Sequence, residues 1–329
     1  MNNFLKKLKI NLNSAKKIAI IGHMNTDGDC IWSMLWLGRL LEKQWKKISY
    51  FTPTWVSKIY SFLKWVEKIK SKFDYSKYDL IVFVDFSSYD RIKKFFENKQ
   101  KYFDNNKIVV IDHHLWNWIN NSLIFKDISS MSTCEIILEL FHKQWKKYFD
   151  SDIATYLYLW LTTDSWNFLF DIDHKRIFKN ALMLLDFWAD KGFIINNLLR
   201  KKSLNSIKFM QLLLDRIKND WKILYTYYDE LDLKKYRIDL EEASYSLHVI
   251  QNIDWQNLVL LIRQVEDKIS CSLRSKTIKW HDINCEEIAR SFGWWWHKNA
   301  AWFSIPFKSN FKKEIKNITN KIKKIIKTN

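Results

Sequence analysis

Three apolar runs, each leading into a carboxylate or an imidazole, constrain this chain more than any other feature. Lys17–Gly22 (KIAIIG) runs into His23, Tyr78–Phe86 (YDLIVFVDF) carries Asp85 at its end, and Lys107–Ile111 (KIVVI) runs into Asp112-His113-His114. Continuous apolar runs suit parallel strands covered on both faces. Between them lie helical spacings: Ile31, Met34, Leu35, Leu37, Leu40 and Leu41 within Cys30–Gln44, then Ser132–Lys143 and Asp152–Thr162. Ile48–Phe51 reads as a further strand. The alternation predicts an α/β fold with a doubly wound, mainly parallel sheet. Such sheets bind ligands outside the carboxyl ends of their strands, where these polar residues fall.

The texture changes further on. Residues 186–219 read as a charged helical connector between an N-terminal domain, 1–185, and a smaller α+β domain, 220–329. In the latter, Ile223–Tyr228, Leu258–Ile262, Lys268–Arg274 and Ala300–Phe307 read as strands, and Glu286–Ser291 and Ser309–Lys327 as helices, with Ser309 the expected N-cap. The last helix gathers Ile315, Ile318, Ile322, Ile325 and Ile326 on one side, which suits docking onto its own domain.

At 329 residues, two domains are the expectation, and 47% hydrophobic content excludes a wholly disordered chain. No apolar run reaches the roughly 18 residues of a membrane span, and Met1–Lys17 has no h-region of a secretory signal. Cys30, Cys134, Cys271 and Cys285 form no CxxC pair, which fits a reducing, cytoplasmic setting. The net charge of +18, from 54 basic against 36 acidic residues, reads either as AT-rich coding or as a polyanion partner; the spread of the lysines along the whole chain favours coding.

Four segments carry chemistry. Gly22-His23-Met24-Asn25-Thr26-Asp27-Gly28-Asp29 supplies an imidazole and two carboxylates within a strand-to-helix turn. Asp85 ends a buried strand, costly for a carboxylate unless paired or metal-bound. Asp112-His113-His114 follows the third run, and Asp164 follows an apolar helix. Together, His23, Asp27 and Asp85 suit one divalent ion, and Asp29, Asp85, His113 and Asp164 a second, with Asp85 bridging. Oxygen and imidazole donors favour Mn²⁺ or Mg²⁺ over thiophilic metals, and a metal pair is a standard device of phosphoester hydrolysis. His114 is then placed to orient a phosphate or protonate the leaving oxygen, and Asp112 to hold an imidazole in orientation.

These four motifs, in this order, resemble the DHH phosphoesterase superfamily. Ser272-Leu273-Arg274-Ser275 and the segment from Phe292 to Phe303 resemble the associated DHHA1 domain. The nearest subgroup is that of short two-domain oligoribonucleases that are also 3′-phosphoadenosine 5′-phosphate phosphatases. The resemblance implies two Mn²⁺ ions in the first domain and a second domain that grips the nucleotide, with a substrate cleft between them. By position it makes Arg274, Ser275, Gly293, His297 and Asn299 substrate-binding candidates. The implied substrates are short RNA or DNA oligonucleotides and 3′-phosphoadenosine 5′-phosphate, with no membrane partner; a homodimer is compatible. Competing readings are a cyclic-dinucleotide or pApA phosphodiesterase and a catalytically inactive nucleotide-binding module. The single-strand exonuclease and pyrophosphatase branches fit less well, by domain content and C-terminal motifs.

One departure is systematic. The chain has 5 glycines and 18 tryptophans. Where the family has a glycine run, Gly293 is followed by Trp294, Trp295 and Trp296; Trp302, Trp32, Trp36, Trp160 and Trp166 also stand at small-residue positions of the motifs. Trp45, Trp145, Trp188, Trp221 and Trp255 fall at expected helix ends or turns, where glycine belongs on physical grounds. Were every Trp a Gly, the chain would hold 23 glycines, about 7%, the ordinary share. Both anomalies then share one cause: UGA codons read as glycine in the source.

Overall fold

The three apolar runs are central strands of one sheet. In the computed structural model, which describes residues 2–86, 88–96, 107–114, 122–143, 145–165, 173–254, 257–276, 283–293, 298–308 and 310–328, the chain forms two units, Met1–Lys201 and Lys202–Asn329. The first unit holds β1 (Lys17–Ile21), β2 (Lys47–Phe51), β3 (Ile69–Lys70), β4 (Leu80–Val84), β5 (Lys107–Asp112) and β6 (Leu123–Lys126), in the order β3-β2-β1-β4-β5-β6. Every pairing in it is parallel. The order reverses between β1 and β4, the switch point where such sheets open a ligand crevice.

The side chains explain the double covering. Ile18, Ile20, Val82, Val84, Val109 and Ile111 join one core, and Ala19, Ile21, Ile81, Phe83, Ile108 and Val110 join another with Phe86, Phe95 and Phe96. The first core is built with α2 (Gly28–Glu42), α3 (Thr133–Phe141), α4 (Ser151–Asp164) and α5 (His174–Asp186). Their starts are capped by Asp27, Ser132, Asp150 and Asp173, each accepting a backbone N–H from the first turn. Upstream lies a helix the sequence reading did not draw, α1 (Asn2–Ser14), which buries Phe4, Leu8 and Leu12 at i, i+4 spacing. The short strands β3 and β6 likewise form no long apolar run in the sequence.

The second unit has five strands where four were expected: β7 (Lys218–Asp220), β8 (Ile223–Asp229), β9 (Leu258–Val265), β10 (Lys268–Ser275) and β11 (Ala300–Pro306), ordered β11-β10-β9-β8-β7. The β8–β9 pairing is parallel, and the β7–β8, β9–β10 and β10–β11 pairings are antiparallel. One face packs on α6 (Leu204–Asp215), α7 (Glu230–Tyr236) and α8 (Leu240–Ile250), the other on α9 (Cys285–Arg290) and α10 (Phe311–Thr328). The segment read as a connector, 186–219, divides: α6 packs inside the second unit through Phe209 and Leu213. Ile315, Ile318 and Ile322 dock α10 onto its own sheet, as its pattern predicts. Asn310 caps that helix, its Oδ1 accepting from Lys313 N at 3.0 Å; the expected cap, Ser309, lies outside the described residues.

Candidate metal centre

The strand ends deliver the donors. His23 follows β1, Asp85 follows β4, and Asp112, His113 and His114 end or follow β5, so three neighbouring strands present one imidazole–carboxylate cluster. Asp27 and Asp29 come from the start of α2. Gly22 permits the tight turn into that helix. A Cβ there would stand 2.4 Å from Cys30 Sγ and 2.5 Å from Met34 Sδ.

Asp85 is the hub. It is 1% exposed, and its two oxygens face different partners. Oδ2 lies 3.3 Å from His23 Nε2; Oδ1 lies 3.5 Å from His113 Nε2 and 3.5 Å from His114 Nδ1. Thr133 Oγ1 donates to Oδ1 at 3.2 Å. The backbone at Asp85 is left-handed, φ +52°, a conformation that costs a non-glycine residue energy and is enriched at functional sites. Burial alone would raise its pKa, but the facing His113 and His23 imidazoles hold it well below the usual carboxylate range. Burial opposes charge on His113, and the Asp85 carboxylate overrides it, holding the His113 pKa up to about 9.

The flanking groups are aimed by the fold. Asp27 caps α2 through Oδ1, accepting from Cys30 N at 3.1 Å, and turns Oδ2 to 3.7 Å from His23 Nε2. Asp29 accepts Thr133 N at 2.8 Å and Cys134 N at 2.9 Å, so the N-terminus of α3 fixes its carboxylate, with Oδ2 at 3.9 Å from His113 Nε2. His113 Nδ1 faces Ser130 O at 3.3 Å; donating there leaves its Nε2 lone pair for the centre. Asp112 is fully buried and orients His114, accepting its backbone N–H at 3.0 Å and facing its Nδ1 at 2.8 Å.

The donor set fits divalent cations. His23 Nε2 is buried, has no hydrogen-bond partner among the described residues, and faces two carboxylates. Two groups of atoms close enough together to hold an ion share Asp85: His23 with Cys30, and His113 with His114. The two-sided use of Asp85 is the arrangement a bridging ligand needs.

Of the sequence candidates, His23, Asp27, Asp29, Asp85, His113 and His114 come together here. Asp164 ends α4, whose preceding residue Thr163 has its Oγ1 2.9 Å from where a Cβ on Gly28 would stand; the Asp164 side chain lies outside what is described. The sequence reading missed Arg91, whose Nη2 is 2.7 Å from His23 Nδ1, and Thr133. Nothing in the local pattern marks Arg91. Ser132-Thr133-Cys134-Glu135 does carry a helix-start signature, which could have placed an N-terminus at Asp29. Cys30 is buried, and its Sγ accepts from His23 N at 3.3 Å.

In the second unit, β10 and β11 bring Arg274, Ser275 and Asn299 together. Arg274 pairs with Ala300, and Ser275 N donates to Asn299 O at 2.9 Å. Arg274 Nη1 donates to Leu273 O at 2.9 Å, while its buried Nε has no hydrogen-bond partner among the described residues. Gly293 follows α9 at φ +85°. His297 lies outside the described residues.

Residues 17–159 match the DHH family, N-terminal domain. A Mycoplasma genitalium protein described as a bifunctional oligoribonuclease and PAP phosphatase NrnA is 25% identical over 312 residues, 93% of this chain and 94% of its own. Among solved structures, an exopolyphosphatase-related protein from Bacteroides fragilis superposes with a TM-score of 0.85 at 19% identity, over 100% of this chain and 98% of its own. RecJ from Thermus thermophilus, solved in complex with Mn²⁺, aligns with a TM-score of 0.56 at 14% identity, over 99% of this chain and 54% of its own. The match to the DHH family's N-terminal domain thus spans residues 17–159, and the cluster built around Asp85 lies within them.

Proposed function

We propose that the protein is a cytoplasmic phosphoesterase that uses two divalent ions, manganese in preference to magnesium, to hydrolyse short oligonucleotides and 3′-phosphoadenosine 5′-phosphate. The observation that carries this reading is Asp85, buried at the switch point with one oxygen toward His23 and the other toward His113 and His114. His23, Asp27 and Asp85 would hold one ion, and Asp29, Asp85, His113 and Asp164 the other. When bound, such a pair supplies a hydroxide nucleophile and neutralises phosphoryl charge. The chain's own groups do the rest. Asp112 holds His114 so that its imidazole can orient the phosphate or give a proton to the leaving oxygen. Arg274, with a buried Nε lacking a partner among the described residues, suits a phosphate oxygen, and Ser275 and Asn299 stand beside it. The relative described as NrnA supports the substrate class.

No helix among the described residues is long and apolar enough to cross a membrane. The test is hydrolysis of a ribodinucleotide and of 3′-phosphoadenosine 5′-phosphate with Mn²⁺, Mg²⁺ or chelator. Mn²⁺-dependent release of mononucleotide or phosphate is expected. Turnover of pApA or a cyclic dinucleotide alone would reassign the substrate, and turnover unaffected by chelator would refute the metal centre.

A further inference from the structure

Four tryptophans stand where the backbone is left-handed: Trp45 (φ +65°), Trp65 (φ +70°), Trp188 (φ +64°) and Trp221 (φ +61°). They make up half of the eight non-glycine residues with positive φ among the described residues. Two of the other four are Asn25 and Asp85, types that tolerate this region; a bulky aromatic does not. Three of the four, Trp45, Trp188 and Trp221, occupy turns that the sequence already marked for glycine. Trp65 is added by the structure. Trp145 does not share the feature, since its φ is −119°.

The turns are of kinds that call for glycine. After α2, Trp45 N donates to Glu42 O and Lys46 N to Leu41 O. After α5, Trp188 N donates to Leu185 O and Ala189 N to Leu184 O. Each is the paired 5→2 and 6→1 closure of a Schellman motif, with the tryptophan at the left-handed position that glycine usually fills. Trp221 is the first of two residues between β7 and β8, where a tight hairpin takes glycine. The indoles at the two helix ends compensate for nothing, since Trp45 is 95% exposed and Trp188 82% exposed. Elsewhere, the indole Nε1 atoms of Trp32, Trp36 and Trp160 are buried without a hydrogen-bond partner among the described residues, each an unmet donor.

We infer that the functional protein carries glycine at positions 45, 65, 188 and 221, the codon behind these tryptophans, UGA, being read as glycine in the source. The same decoding accounts for the 5 glycines and 18 tryptophans of the sequence as it stands. This inference rests on backbone geometry and composition and is independent of the proposed substrates.

The direct test is mass spectrometry of peptides spanning positions 45 and 188, from the protein purified out of its source cells. Glycine at both is expected; tryptophan at either overturns the inference. A second measurement probes the physical argument without the source. Trp45→Gly and Trp188→Gly, both far from the metal donors in sequence and exposed, are compared with the unaltered chain in thermal unfolding. Relief of a left-handed aromatic raises the unfolding midpoint by about 2–4 °C for each position. An unchanged or lower midpoint for both contradicts the claim that these are glycine positions.

Discussion

Replacing Asp85 by asparagine separates the chemistry of the site from its architecture. Asparagine keeps the volume and, like aspartate, tolerates the left-handed backbone at φ +52°. It can still accept from Thr133 Oγ1. What it loses is the negative charge between the imidazoles. An ion held by Asp85 would lose a unit charge beside it, and two unit charges about 4 Å apart are worth about 4 kcal/mol at an effective dielectric of about 20. At about 1.4 kcal/mol per factor of ten, that corresponds to roughly three orders of magnitude in ion affinity, turnover or both. The fold should survive, because no cavity is made: measured without metal near pH 9, where the stability that His113 draws from the Asp85 charge is largely lost, the unfolding midpoint should move by no more than about 4 °C. The assay is Mn²⁺-dependent phosphate release beside thermal unfolding with chelator. Turnover within tenfold of the unaltered protein would refute the reasoning, as would collapse of the fold.

Other perturbations bear on separate parts of the account. Gly22→Ala forces a Cβ to within 2.4 Å of Cys30 Sγ and should cost about 1–3 kcal/mol of stability, read by denaturant unfolding. Ser132→Ala removes the Oγ that accepts from Glu135 N and should cost about 1 kcal/mol; by loosening the helix start that grips Asp29, it should also weaken ion binding, read by Mn²⁺ titration. Arg274→Ala should raise KM for 3′-phosphoadenosine 5′-phosphate about 10- to 100-fold, as loss of a charged hydrogen bond implies, while leaving Mn²⁺ binding unchanged. Asp112→Asn should lower kcat more than KM, since it disturbs the His114 ring it orients rather than an ion ligand.

Much of this architecture was legible because burial on both faces leaves an unbroken apolar signature. KIAII, LIVFV and KIVVI became β1, β4 and β5, and the donors at their ends converge as their positions implied. The elements that escaped are those whose signal is weak or shared. β3 has two residues and β6 alternates burial over four, so neither forms a run. α1 is lysine- and asparagine-rich, and only its i, i+4 spacing of Phe4, Leu8 and Leu12 betrays a buried face. At the site, residues whose type suits a metal ligand were readable, whereas Arg91 and Thr133 join it through position alone. Arg91 reaches His23 across 68 residues of sequence, and Thr133 reaches Asp85 across 48. The tryptophans were conspicuous in composition, but only backbone dihedrals separate the turn positions Trp45, Trp188 and Trp221 from Trp145.

The central claim is that Asp85 is shared between two divalent ions. Anomalous diffraction at the manganese edge, from crystals of the Mn²⁺-loaded protein, tests it most directly. The account predicts two peaks, one beside His23 and Asp27 and one beside His113 and Asp29, both within bonding distance of Asp85. A single peak, or ions that do not touch Asp85, would contradict it.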